Sequence, residues 1–280
     1  MYKILDGKEL AKKLKIELTN RIQTLPTPPT LAVIQLGDNK DAQVYTKKIQ
    51  KLSQDTGIRV MSYPLPDTIT EYDLLELIKA LNQSSEVHGI LLHMPLPSHI
   101  NAITITSSID IAKDVDCLNP HNIGLLSQSD KGYAPCTPLG IVTLLKAYNL
   151  DLASKNCVII GRSNVVGRPL ASMLLGENTT VTICHSYTKN LEYIASGADI
   201  LISAVGKKDF ITANMVQHGA VVIDAGINVD EMGAVCGDVA FDKVKHKVSY
   251  ITPVPGGVGP MTNVMLLRNL LNAYTTLTNQ

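Results

Sequence analysis

The chain holds 280 residues, with 25 basic side chains against 25 acidic ones and 45% hydrophobic residues. That length suits one large or two medium domains with ample core, and the charge balance, free of any run of one sign, argues against a bulk basic field for nucleic acid or an anionic membrane. No stretch approaches a membrane span or a leader peptide, and five scattered cysteines without a C-x-x-C pair fit a reducing cytoplasm.

Residues 7–24 carry Leu10, Leu14, Leu18 and Ile22 at i+4 steps between lysines, an amphipathic helix that Pro26, Pro28 and Pro29 stop. Residues 30–36 read as a buried strand ended by Gly37, 42–56 as a helix closed by Gly57, and 58–65 as a second strand. Residues 70–83 give a helix through Leu74, Leu77, Ile78 and Leu81, and 89–94 a strand running into Pro95-Leu96-Pro97. Strands and helices in alternation predict right-handed parallel crossovers. Residues 100–133 are expected to be irregular, and a stretch so long is more often functional than idle. Thr137 is the expected N-cap of a helix reaching Tyr148, with Pro138 at its first position.

A second series begins at Asn156. Its predicted strands are 157–160, 180–184, 200–204 and 220–224, with helices between them, the first over 166–175. Residues 228–239 read as a small hairpin or loop region, 249–252 as a last strand, 253–260 as a glycine-rich loop and 261–274 as a final helix. The fold class is therefore α/β, with two α/β domains, the second a Rossmann-like dinucleotide-binding domain, and a cleft between them.

The stretch NCVIIGRSNVVGRPL, 156–170, is the centre of that second series. A buried strand ends in Gly161 and feeds a helix, with Gly167 permitting close helix–strand packing and the helix N-terminus offered to a pyrophosphate. The spacing is G-R-S-x-x-x-G, which as a bare pattern is weak. An NAD site expects an acidic residue at the end of the next strand. Here that end reads Ile183-Cys184-His185-Ser186-Tyr187, while Arg162 in the first loop can pair with a 2′-phosphate, so NADP is favoured over NAD. The histidines lack metal-ligand spacing, and no metal is expected. Asp224 and Asp238, at strand or hairpin ends, are expected to be structural.

Five strings then carry a resemblance: GRSNVVGRPLA from Gly161, TICHS from Thr182, PCTPLG from Pro135, KDVD from Lys113 and TPVPGGVGPMT from Thr252. In their order and spacing the chain resembles the methylenetetrahydrofolate dehydrogenase/methenyltetrahydrofolate cyclohydrolase family. The resemblance implies a folate-binding catalytic domain over 1–139, completed by a C-terminal helix at 261–280, and an NADP-binding domain over 140–260 that mediates a homodimer. It implies oxidation of 5,10-methylenetetrahydrofolate to the methenyl form, then hydrolysis to 10-formyltetrahydrofolate. Tyr45 matches the tyrosine that stacks on the pterin and Asp116 the carboxylate that holds its edge. Leu92, His93, Pro95, Gly256, Gly257, Gly259 and Pro260 match other substrate-side positions. Gly161, Arg162, Ser163, Val166, Gly167, Thr137, His185, Ser186 and Ile227 match the cofactor side.

The departures are chemical. The family's Y-x-x-x-K becomes Tyr45-Thr46-Lys47-Lys48-Ile49, the glutamine before Pro-Leu-Pro becomes His93, and the aspartate–glycine step becomes Asp116-Cys117. Tyr187 stands where many relatives have a basic residue. Hydride transfer needs mainly alignment and exclusion of water, whereas hydrolysis needs a group that exchanges protons near neutrality. The expectation is retained dehydrogenase activity with weak or absent cyclohydrolase activity. Lys48, about 60° around the helix from Tyr45, and His93 are the candidates to replace the lysine. The alternative is a catalytically weakened folate- and nucleotide-binding paralogue with a regulatory role.

Overall fold

The structure is a computed structural model that describes residues 1–38, 40–128 and 132–278, with the backbone alone at 40–43. It divides into two compact units, Met1–Lys12 with Cys136–Met265, and Lys13–Pro135 with Leu266–Gln280. Of the three borders, those at 12/13 and 265/266 fall inside continuous helices, and the third falls just before the helix that starts at Cys136.

The chain opens on β1 (Lys3–Ile4) and α1 (Gly7–Gln23), then builds the second unit from β2 (Thr30–Leu36), α2 (Lys40–Thr56), β3 (Arg59–Leu65), α3 (Glu71–Gln83) and β4 (Gly89–Leu92). These strands form a parallel sheet in the order β3-β2-β4, with Val33 opposite Ser62 on one side and Leu91 on the other. Ala32, Ile34, Leu74, Ile78, Leu81, Ile90 and Leu92 form its core. Thr70 caps α3 by accepting the Asp73 N–H at 3.1 Å.

The stretch expected to be irregular holds two short helices, α4 (Ala102–Ser108) and α5 (Pro120–Ser127). Asn101 and Asn119 cap them through their side chains, and Pro120 opens the second. Between them the buried Lys113 ammonium donates to the carbonyls of Leu81, Asn82 and Ser84 at 3.0, 2.7 and 2.7 Å. It thereby satisfies the carbonyl end of α3, where a cation also suits the helix dipole. Burial pulls the Lys113 pKa down, and Asp110 opposes that. Asp114, also buried, accepts the N–H groups of Leu118 and Asn119 and the Asn122 amide at 2.8, 2.9 and 2.8 Å.

The other unit continues with α6 (Cys136–Ala147), β5 (Asn156–Ile160), α7 (Gly167–Gly176), β6 (Thr180–Cys184), α8 (Leu191–Ser196), β7 (Ile200–Ser203) and β8 (Val221–Asp224). It ends with β9 (Asn228–Val229), β10 (Val235–Cys236), α9 (Phe241–Val244), β11 (Tyr250–Ile251) and α10 (Val258–Thr278), the last of which also supplies the second unit. Six parallel strands run in the order β6-β5-β7-β8-β11-β1. Their side chains alternate between two cores. Cys157, Ile159, Ile200 and Ile202 meet Leu144, Leu170 and Leu174 on one face, and Val158, Ile160, Leu201 and Val222 meet Ile211 and Val244 on the other.

Several expectations change here. Thr137 lies inside the first turn of α6 and is not its N-cap; its hydroxyl meets that of Thr262 at 3.0 Å. Only a 3-10 turn, Ala213–Met215, stands between β7 and β8 where a helix was expected. Helix α10 begins at Val258, so Gly259 and Pro260 belong to its first turn and not to a loop. Residues 1–12 cluster with the six-stranded sheet, where β1 pairs with β11.

Candidate functional site

The six-stranded sheet reverses direction of growth at β5, since β6 lies on one side of it and β7 on the other. In open parallel sheets the crevice at the carboxyl ends of such strands is where a dinucleotide lies. Gly161 stands there with φ +123°, and a Cβ on it would sit 2.4 Å from the Ala204 carbonyl oxygen. A Cβ on Gly167 would sit 2.1 Å from the Gly161 carbonyl oxygen. Neither position admits a side chain, so this turn packs backbone against backbone between β5, the loop after β7 and the start of α7. Ser163 Oγ accepts the Val166 N–H at 3.2 Å and shapes the turn into α7.

Arg162 is exposed, and its guanidinium lies 5.7 Å from the centroid of the Tyr187 ring. That contact gives the aromatic replacement of a basic residue a role in holding the guanidinium by cation–π attraction. His185 accepts the Tyr187 N–H through Nδ1 at 3.2 Å, Ser186 is exposed beside it, and no carboxylate occurs in the segment 185–188. Ile227 is 71% exposed, on the approach to the β9–β10 hairpin.

Asp238 is structural, as expected, and the structure adds which groups it holds. Its buried carboxylate gathers Ser203 Oγ at 2.9 Å, the N–H groups of Val205, Gly206 and Lys207 at 2.8, 3.3 and 2.9 Å, and the Asn228 amide at 3.0 Å. It thus fixes the loop after β7, next to Gly161. Asp224 accepts the Gly226, Asp238 and Val239 N–H groups, and burial pushes its pKa up to about 6 against those bonds.

In the other unit the candidate residues lie on α2 and at the end of β4. Tyr45 and His93 meet edge to face, with ring centroids 5.5 Å apart and planes at 82°. Ile49 is 1% exposed while Lys48 is exposed. Leu92 is buried at the strand end, and Met94–Pro95 is a cis bond with Pro95 exposed. Asp116 is half-buried, and the preceding Val115 carbonyl is held by Asn269 Nδ2 of α10 at 2.8 Å. Cys117 takes the left-handed conformation at φ 55°, which explains why a glycine suits this position, and its thiol donates to the Tyr133 carbonyl at 3.1 Å. Gly256, Gly257, Gly259 and Pro260 belong to the six-stranded unit, with Gly256 at φ +116°.

Sequence reasoning also passed over Thr46 and Gln35. Thr46 Oγ1 donates to Gln35 Oε1 at 3.1 Å and lies 3.0 Å from His93 Nε2. The Gln35 amide donates in turn to the Gly37 carbonyl at 3.2 Å. The only signal was position: Thr46 adjoins Tyr45, and Gln35 ends a strand beside β4. Burial lowers the His93 pKa.

A parallel sheet with a glycine turn at its reversal point, joined to a second three-stranded α/β unit, defines a two-unit dinucleotide-binding α/β protein. Residues 5–116 match the catalytic domain of tetrahydrofolate dehydrogenase/cyclohydrolase, and residues 135–278 match its NAD(P)-binding domain. The chain belongs to the tetrahydrofolate dehydrogenase/cyclohydrolase family. It is 47% identical over 274 residues to the bifunctional protein FolD of Campylobacter curvus, covering 97% of this chain and 95% of that one. Among solved structures, the bifunctional methylenetetrahydrofolate dehydrogenase/cyclohydrolase FolD of Campylobacter jejuni superposes with a TM-score of 0.96 at 47% identity, covering 99% of this chain and all of the other. The Trypanosoma brucei methylenetetrahydrofolate dehydrogenase-cyclohydrolase, solved with NADP and an inhibitor, gives 0.94 at 34% identity over 100% and 99% of the two chains.

Proposed function

We propose that this protein oxidises 5,10-methylenetetrahydrofolate with NADP and hydrolyses the methenyl product slowly. The observation that carries the reading is Ile49. It occupies the family's lysine position on the helix that presents Tyr45, and it is buried.

The two reactions ask different things of these residues. NADP supplies the hydride acceptor when bound. The chain's part in oxidation is to hold ligands and keep water out, which is positioning chemistry. Gly161 and Gly167 allow the tight turn that brings the N-terminus of α7 up to a pyrophosphate, and Arg162, braced by Tyr187, offers a planar donor to a 2′-phosphate. Tyr45 presents a ring for the pterin and Asp116 a carboxylate for its edge. Hydrolysis further requires a proton taken from water and one given to a ring nitrogen. An isoleucine can do neither, and Lys48 is an exposed residue of the same helix.

A homodimer is part of the reading, supported by the β9–β10 hairpin, where Ile227, Val229, Met232 and Val235 are all exposed apolar side chains. A cytoplasmic site is supported by five free cysteines. No helix among the described residues is long and apolar enough to cross a membrane.

The test is a paired assay on one preparation: reduction of NADP and of NAD with methylenetetrahydrofolate, and loss of the methenyl absorbance. Reduction of NADP well ahead of hydrolysis is expected. Tight folate and nucleotide binding without any reduction would refute the reading.

A further inference from the structure

Three hydrogen bonds in sequence settle which nitrogen of His93 carries its proton. The Gln35 amide nitrogen donates to the Gly37 carbonyl, which fixes the amide so that Oε1 faces α2. Oε1 can only accept, so the single proton of the Thr46 hydroxyl is committed to it. Thr46 Oγ1 must then accept at its 3.0 Å contact with His93 Nε2, and the donor there is Nε2–H. Nδ1 is left as the lone-pair nitrogen. No buried side-chain nitrogen or oxygen among the described residues lacks a partner, and Nδ1 has none, so it opens to solvent.

We propose that Thr46 is a positioning residue which, held by Gln35, locks His93 in the Nε2–H tautomer and makes Nδ1 the base that activates water for hydrolysis of the methenyl ligand. The proposal rests on the folate reading of this site. Nδ1 takes a proton as the water oxygen bonds to the methenyl carbon, which neutralises the cation. The imidazolium then returns that proton to the ring nitrogen N5 as the carbon–N5 bond breaks. The new hydroxyl loses its own proton to solvent, and 10-formyltetrahydrofolate remains, with one proton released overall.

The ring's surroundings favour this work. Tyr45 from α2 is the titratable group packed against it among the described residues, while Gln35 from β2 and Thr46 are neutral. Burial alone shifts the pKa, downward, so the ring is neutral near pH 7.

The experiment is nitrogen NMR of the histidine-labelled full chain, with His93→Gln assigning the signal, on wild type, Thr46→Val and Thr46→Ser. Methenyl hydrolysis and methylene oxidation are assayed alongside. His93 is expected as the Nε2–H tautomer in wild type and Thr46→Ser, and as a mixture in Thr46→Val. The ratio of hydrolysis to oxidation kcat is expected to fall about tenfold in Thr46→Val, the size of one net hydrogen bond, and to recover in Thr46→Ser. Wild-type hydrolysis should fall with acid along one ionisation below the ordinary histidine value. A wild-type Nδ1–H tautomer, a Thr46→Val protein matching wild type in both readouts, or undetectable wild-type hydrolysis overturns the proposal. Missing oxidation with the expected tautomer and hydrolysis refutes the dehydrogenase reading and leaves the relay standing.

Discussion

Ile49 follows Tyr45 by one turn of α2, yet Ile49 is 1% exposed and Tyr45 only half-buried. The position four residues after Tyr45 is thus closed to solvent. Substituting Ile49→Lys places an ammonium where desolvation lowers its pKa toward neutrality, the condition for proton exchange. We expect methenyl hydrolysis to rise about tenfold or more, the scale of one added acid–base group, with a lower melting temperature from the lost apolar side chain. Unchanged hydrolysis in a folded variant would show that the missing amine is not what limits the reaction.

Arg162 and the nucleotide make the second case. Losing one charge-assisted contact to a 2′-phosphate is worth about 1.5–3 kcal/mol, or roughly ten- to a hundredfold. Arg162→Ala should therefore raise the KM for NADP by that factor and leave the KM for NAD within about twofold. Steady-state assays with both nucleotides decide the matter, and equal losses with both would place Arg162 outside the phosphate site.

The buried Lys113 ammonium supports the end of α3 through three carbonyls. Lys113→Met keeps the stem and removes all three donors. Leaving those oxygens without partners should cost about 3 kcal/mol and lower the melting temperature by roughly 6–12 °C. Calorimetry checks this, and a shift under about 2 °C would mean that water replaces the ammonium at little cost.

Asp224 makes stability depend on pH. Its folded pKa, pushed up to about 6 by burial, lies above the ordinary value of about 3.9 that it regains on unfolding. The folded state therefore holds the proton more tightly, and this contribution is complete below about pH 4 and lost as pH rises through about 6. Relative to Asp224→Asn, which does not titrate, wild type should lose about 2–3 kcal/mol between pH 4 and pH 7. Urea unfolding at both pH values measures the difference, and a constant gap would show that the three N–H bonds outweigh burial.

Much of the fold is legible where the signal is local. Residues 30–36 are a largely buried apolar run and 180–184 a β-branched one that is buried only at Cys184, and both are strands at those bounds. Helices α4 and α5 are not legible, because seven or eight residues show too little period and each helix is held by its asparagine cap. The glycine turn at Gly161 and the altered residues at 49, 93 and 117 can be read from spacing and comparison. The link from Gln35 through Thr46 to His93 and the groups that Asp238 gathers cannot, since each joins separate elements and shows no pattern until the chain folds.

Two residues of β1 have an effect out of proportion to their number. Lys3 and Leu5 donate to the Ser249 and Ile251 carbonyls at 2.8 and 2.9 Å, so the start of the chain closes the margin of the six-stranded sheet. Cutting the chain after Asp6 would bare a row of unpaired β11 groups that any extended segment could zip onto. Clumping of such a shortened protein would then report the loss of this cover strip, together with the buried Leu5 side chain that the same segment contributes to the core.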